Sequence, residues 1–133
     1  MDDAVTQFLK GRGVPDDVAQ AGLEGLVSAW ERTASQVRTG YPLGLDDYLN
    51  DLDGRQLIEE AVMSAPGAAS PDLLRRIEAA DVTMQEGIDP VGECLWGEEL
   101  ADREGWTEGD NWWYFALPRN PGQQLTEELE DLE

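Results

Sequence analysis

Residues 109–121 read GDNWWYFALPRNP and contain four aromatic side chains in a row. No other part of the chain carries as much large apolar surface. The stretch also favours a short strand over residues 112–117, whereas the remainder of the chain favours helix. On a strand, Trp112 and Tyr114 would share one face, opposite to Trp113. We expect this stretch to form the nucleus of the C-terminal half of the chain.

The segment that leads into the aromatic stretch, residues 89–111, lacks helical or strand periodicity and contains four glycines. A helical turn or two is possible over residues 98–103. Loops of this length are unusual in a compact domain and are often functional. We expect Trp96 and Trp106 to cover one face of the aromatic strand, so that it belongs to a small C-terminal core.

The first half of the chain has the spacing of amphipathic helices. A short helix capped by Asp2 or Asp3 comes first. The clearest helix covers residues 15–39, between Pro15 and Gly40. Its predicted buried stripe consists of Leu23, Leu26, Val27, Trp30, Ala34 and Val37.

Two further helical regions follow. Residues 45–62 are predicted to form two short helices that meet at a bend, because Gly54 is a weak helix former. Ser70 and Pro71 then provide a strong helix start, and Gly87 provides the corresponding end. The predicted inward residues of this last helix are Leu73, Leu74, Ile77, Ala80 and Met84.

These patterns predict a mainly α fold in a single domain, residues 1–133, with five or six helices. Within it, residues 1–87 form a helical part. Residues 88–121 form a long irregular segment with a short strand or hairpin. Residues 122–133 form an acidic C-terminal helix, whose end should fray because its acidic residues oppose the negative end of the helix dipole. An all-α bundle without a strand is the alternative.

The chain carries 29 acidic and nine basic residues, a formal net charge of −20. Residues 86–133 alone hold 14 acidic and two basic side chains. Such a field repels nucleic acid and anionic membranes and attracts basic proteins and cations. We therefore predict a possible basic protein partner, with no nucleic-acid and no membrane partner. Solubility or adaptation to a saline cytoplasm is the other explanation of the charge.

Several classes of chemistry are excluded or disfavoured. The chain has no histidine, so a Ser–His or Cys–His pair and a His-ligated metal are impossible. The single cysteine, Cys94, cannot form an internal disulfide, and its acidic neighbours should raise its pKa. The absence of a leader-like or long apolar stretch predicts a cytoplasmic protein. We predict no cofactor, no metal and no catalytic residue.

Two acidic patterns in the sequence resemble known kinds of site. Asp51, Asp53, Gly54 and Glu60 fit four positions of an EF-hand calcium loop, but Leu49 stands at the first ligand position and cannot bind calcium. Pairs of carboxylates about 5–10 Å apart are typical of glycosidases, but with so many acidic residues such pairs arise by chance. Neither pattern predicts a site.

The candidate contact surface lies around the aromatic stretch. Trp112 and Tyr114 would be partly exposed, with Asp110, Glu108 and Arg119 around them. Trp, Tyr and Arg are enriched in the hot spots of protein interfaces, and an acidic rim steers basic partners.

The leading hypothesis is an acidic interaction module that binds a basic protein, as an inhibitor, an immunity protein or a mimic of nucleic-acid charge does. The second hypothesis is a small-molecule binder or a carboxylate-dependent enzyme, with a pocket between the helices and residues 89–117. The third is a stable domain without a specific site, whose acidity serves solubility.

Overall fold

In the part of the chain that the structure describes, six α-helices and a two-stranded antiparallel hairpin make up a single domain, as predicted. The computed structural model describes residues 4–65, 67 and 69–131, without the side chains of residues 4–6 and 16–18. The proposed caps Asp2 and Asp3 and the last two residues of the C-terminal helix therefore lie outside the described residues. The elements are α1 (Ala4–Gly11), α2 (Asp16–Thr39), α3 (Leu45–Ser64), α4 (Pro71–Glu86), β1 (Ile88–Pro90), α5 (Glu98–Glu104), a 3-10 helix (Trp112–Phe115), β2 (Ala116–Pro118) and α6 (Gln123–Asp131).

Helix α2 is the central element, and its predicted stripe is buried throughout, from Leu23 to Val37. It packs against α1, α3 and α4. One irregularity interrupts it at Gly22, where φ is 63° and ψ is −154°. Only glycine adopts such a backbone conformation readily. Gly40 ends the helix, and its N–H donates to the Gln36 carbonyl.

Helix α3 is one continuous helix of 20 residues, so the predicted bend at Gly54 is wrong. Its buried residues include Leu52 on one side of Gly54 and Ile58 on the other. The helix packs against α1, α2, α6 and the 3-10 helix. Burial on several sides keeps the helix continuous, and this tertiary packing overrides the poor helix propensity of one glycine.

The cost of that glycine predicts a stabilising substitution. A Cβ added at Gly54 would meet no heavy atom within 4 Å. We expect Gly54→Ala to raise the free energy of unfolding by about 0.5–1 kcal/mol, measured by urea denaturation. Gly25→Ala in α2 is the matched control, because its Cβ would lie 2.5 Å from the Ala21 Cβ. Equal stabilisation by both changes would contradict this explanation.

Helix α4 begins and ends as predicted. The Leu73 N–H donates to Ser70 Oγ at 3.1 Å, and the Gly87 N–H donates to the Met84 carbonyl. Leu74, predicted to face inward, is instead 46% exposed. The reason is that α4 packs mainly on α2, so only a narrow stripe of it is covered.

The aromatic stretch is a 3-10 helix over Trp112–Phe115, and only Ala116–Pro118 is a strand. The predicted strand over residues 112–117 and its alternation of faces are therefore wrong. Trp113, Tyr114 and Phe115 are consecutive and all buried, which an extended strand with alternating faces would not allow. The hairpin itself is short and pairs Ile88 with Pro118.

The C-terminal helix α6 is fastened to the start of α3. The Leu45 N–H donates to Glu128 Oε2 at 2.7 Å, and this bond lowers the pKa of the Glu128 carboxyl. Before α6, the Gly122 N–H donates to the Tyr41 carbonyl at 2.7 Å. A Cβ at Gly122 would lie 2.3 Å from that carbonyl oxygen, so only glycine permits the approach.

A buried ion pair joins the helices to the aromatic stretch. Arg55 on α3 binds both carboxylate oxygens of Asp81 on α4, each at 2.9 Å. Trp30 Nε1 on α2 donates to the same carboxylate at 2.8 Å. The Arg55 guanidinium carbon also lies 4.4 Å from the centroid of the Trp113 ring. Arg55 is 6% exposed, so a single buried charge connects four elements.

Candidate functional site: an acidic aromatic groove

Two adjoining depressions, of about 390 and 500 Å³, lie between α3 and residues 96–111. They share four lining residues, Gln56, Glu60, Glu104 and Trp106, and so form one surface, which we call the α3–α5 groove. Its complete lining is Arg12, Val14, Asp53, Gln56, Leu57, Glu59, Glu60, Met63, Trp96, Leu100, Glu104, Gly105, Trp106, Asp110, Asn111 and Tyr114.

The polar wall of the groove comes from one face of α3. Asp53, Gln56 and Glu60 follow one another at spacings of three and four residues, so their side chains lie on the same side of the helix. Gln56 Nε2 donates to Glu60 Oε2 at 2.9 Å. Gln56 Oε1 accepts from Asn111 Nδ2 at 2.9 Å. This chain of amides fixes the wall relative to the segment across the groove.

The aromatic wall comes from the irregular segment. The Trp106 ring stacks on Tyr114, with centroids 4.1 Å apart and planes 20° from parallel. The Tyr114 hydroxyl and Trp96 Nε1 both donate to Asp53 Oδ1, at 2.7 and 3.0 Å. Burial, reinforced by the bond to Asp53, raises the pKa of the Tyr114 hydroxyl well above its ordinary value. Tyr114 therefore remains a neutral hydrogen-bond donor. Asp53 fixes the rings of Tyr114 and Trp96.

The groove has a strong negative charge. Five carboxylates line it: Asp53, Glu59, Glu60, Glu104 and Asp110. Arg12 is the basic side chain among the lining residues, and it pairs with Glu60. Within the described part of the chain, Glu104 and Asp110 form no ion pair. Carboxylates beside the faces of indole rings are a suitable environment for an organic cation.

The five residues of the predicted contact surface do not lie together. Asp110 and Tyr114 both line the α3–α5 groove, but Tyr114 is only 1% exposed and forms its inner wall. Trp112, which is half-buried, and Glu108 line a separate depression of about 230 Å³ beside the hairpin. Arg119 is exposed on the hairpin.

Arg119 has partners of its own within the hairpin region. Its guanidinium binds the Asp89 carboxylate at 3.0 Å and the carbonyls of Glu86 and Ile88. It therefore braces the junction between α4 and β1 and does not extend into the α3–α5 groove.

Asp51, Asp53 and Glu60 lie on the continuous helix α3, which cannot wrap around an ion as an EF-hand loop does. Among the described residues, no group of three or more acidic or Cys side chains is placed to hold a metal ion. Cys94 is buried, and burial raises the pKa of its thiol, in the predicted direction.

The residues that sequence reasoning missed are Gln56, Glu59, Glu60, Glu104 and Arg12 as parts of a groove. The signal was present in the spacing of Asp53, Gln56 and Glu60 along one helical face. The predicted bend at Gly54 hid it, because that prediction made Asp53 the cap of the second short helix and not part of one continuous helical face with the other two. The predicted role of Trp106, to cover the aromatic stretch, is observed as its stacking on Tyr114.

In the described part of the chain, no helix combines the length and apolarity needed to cross a bilayer. Comparison of the chain with protein-family models, curated proteins and solved structures found no significant match.

Proposed function

We propose that the protein is an acidic cytoplasmic interaction module that binds a basic protein, of the inhibitor, immunity or nucleic-acid-mimic type. The α3–α5 groove is the proposed contact, and a basic side chain of the partner is its occupant. The observation that supports this proposal is the combination of five carboxylates with the rings of Trp96 and Trp106 in one groove.

Charge and ring faces act together on such an occupant. The net charge of −20 attracts a basic partner at long range and speeds its association. At contact, a cation over an indole ring is stabilised by about 0.5–1 kcal/mol at an exposed site, and by more when water is excluded. The carboxylates supply acceptors for the hydrogen bonds of the cation.

A matched pair of double variants tests the proposal. Glu104→Gln with Asp110→Asn removes two charges from the groove, and Glu130→Gln with Asp131→Asn removes two exposed charges from α6. Binding of a fluorescent arginine-rich peptide would be followed by anisotropy at about 50 and 150 mM salt, across which screening increases. We expect the groove variant to weaken binding about tenfold, equivalent to about 1.4 kcal/mol, and the α6 variant to weaken it far less.

Other outcomes would contradict the proposal. Equal weakening by both variants would mean that the peptide responds to general acidity and not to the groove. No binding of the peptide by the wild-type protein at the lower salt concentration would contradict a basic partner altogether.

A small-molecule cation is the second candidate occupant. The larger depression, about 500 Å³, is large enough for a compact ligand, and its lining combines Trp106 with four carboxylates, those of Glu59, Glu60, Glu104 and Asp110. A thermal-shift titration with a polyamine distinguishes the two: stabilisation by the polyamine but not by the arginine-rich peptide would favour the small-molecule function.

A further inference from the structure

We propose that Arg12 is a built-in competitor for the α3–α5 groove and that the side chain of the partner that replaces it is an arginine. This inference rests on the proposed function, since it names the chemistry and the regulation of the same site. The chain's own guanidinium lies where the side chain of the partner would bind.

Arg12 reaches the groove from the turn between α1 and α2. Its N–H donates to the carbonyls of Phe8 and Leu9, both at 3.1 Å, which fixes the backbone at the end of α1. The guanidinium pairs with Glu60 on α3 and lies 5.9 Å from the centroid of the Phe8 ring. The next residue but one, Val14, also lines the groove. The turn between α1 and α2 therefore places the cationic side chain of Arg12 in the groove, although the turn belongs to neither of the two main walls.

The contact of Arg12 with Glu60 can be exchanged at small cost. The Arg12 side chain is 48% exposed and that of Glu60 is 26% exposed. Ion pairs this open to water contribute about 0.2–1 kcal/mol, in contrast to the buried pair of Arg55 and Asp81. An incoming arginine can therefore displace Arg12 without disturbing the core.

Arginine fits the groove better than lysine does. A guanidinium is planar, so it can stack on an indole ring and donate to a carboxylate at the same time. The lining of the groove contains both kinds of group, the rings of Trp96 and Trp106 and the carboxylates of Glu60 and Glu104. An ammonium group is a strongly hydrated point charge that gains less from the ring faces.

A competitor within the chain lowers the apparent affinity of the site for the partner. The intrinsic affinity is multiplied by the fraction of molecules in which the competitor leaves the site free. Removing Arg12 should therefore tighten peptide binding by about 1.4- to fivefold, the factor that corresponds to the free energy of about 0.2–1 kcal/mol of an exposed ion pair. The matched control is Arg75→Ala, which removes one exposed charge of the same kind, paired with Asp72 on α4. Both variants change the net charge equally.

The experiment measures the dissociation constants of an arginine-rich peptide and a lysine-rich peptide of equal length for the wild type, Arg12→Ala and Arg75→Ala. We expect Arg12→Ala alone to tighten binding, with the larger gain for the arginine-rich peptide. Equal changes in the two variants, equal gains for the two peptides, or weaker binding by Arg12→Ala would overturn the inference while leaving the proposed function intact. Failure of every variant to bind either peptide would contradict the proposed function itself.

Discussion

Replacing Arg55 by methionine is expected to lower the free energy of unfolding by about 3 kcal/mol. The Arg55 side chain is 7% exposed and binds both carboxylate oxygens of Asp81, whose side chain is 18% exposed. Without the guanidinium, the Asp81 carboxylate keeps the Trp30 N–H but loses its charged partner in a partly buried position. The Trp113 ring also loses the cation above its face. Urea denaturation followed by circular dichroism measures the change.

The same denaturation experiment compares the loss of the buried ion pair with the loss of an exposed one. Arg75→Ala removes an arginine whose side chain is 70% exposed, and it should change stability by no more than about 0.5 kcal/mol. Adding Asp81→Asn to Arg55→Met should recover part of the loss, because the unpaired charge then disappears. A loss of less than about 1 kcal/mol for Arg55→Met would show that the buried pair is unimportant.

Truncation of Trp113 to alanine is expected to cost about 3–5 kcal/mol, in the range observed for large aromatic side chains in cores. Trp113 is 1% exposed and packs between the rings of Trp112 and Tyr114. Its Nε1 is a buried donor without a partner among the described residues, so the contribution of this side chain comes from apolar packing and from the contact with Arg55.

Trp112→Ala is the matched control, because the two tryptophans are neighbours and differ in burial. Trp112 is half-buried and contacts Trp30 at a centroid distance of 6.4 Å. We expect its truncation to cost about 1–2 kcal/mol. Equal costs for the two variants would contradict the observed difference in burial. A folded Trp112→Ala variant that no longer binds a basic peptide would place the contact beside the hairpin instead of in the α3–α5 groove.

Local signals were sufficient for the helices with clear ends. Pro15 and Gly40 mark the ends of α2, and Ser70 and Gly87 mark the ends of α4. These ends are predictable because capping and backbone conformation depend on near neighbours in the sequence. The same kind of signal was misleading at Gly54. There the decisive term is burial on several sides of α3, which no residue near Gly54 reveals.

The conformation of the aromatic stretch depends on distant partners. The Trp113 ring packs against the guanidinium of Arg55. The Tyr114 hydroxyl donates to the carboxylate of Asp53, 61 residues earlier in the chain. A pattern of consecutive aromatic residues shows how much surface must be buried but not the direction of burial. Sequence analysis offered a pocket between the helices and residues 89–117 only as an alternative. It could not name the residues of the groove for the same reason, since the two walls meet only through tertiary packing.

The shared charge at Arg55 also has a consequence for linkage. Because one guanidinium holds α3, α4 and the 3-10 helix, and its carboxylate partner holds α2, we expect the aromatic segment to open together with the helices and not as an independent flap. Two of these elements, α3 and the 3-10 helix, contribute residues to the α3–α5 groove. A ligand that binds the folded groove and not the unfolded chain should therefore stabilise the whole domain by mass action, by an amount that increases with the ratio of the ligand concentration to its Kd.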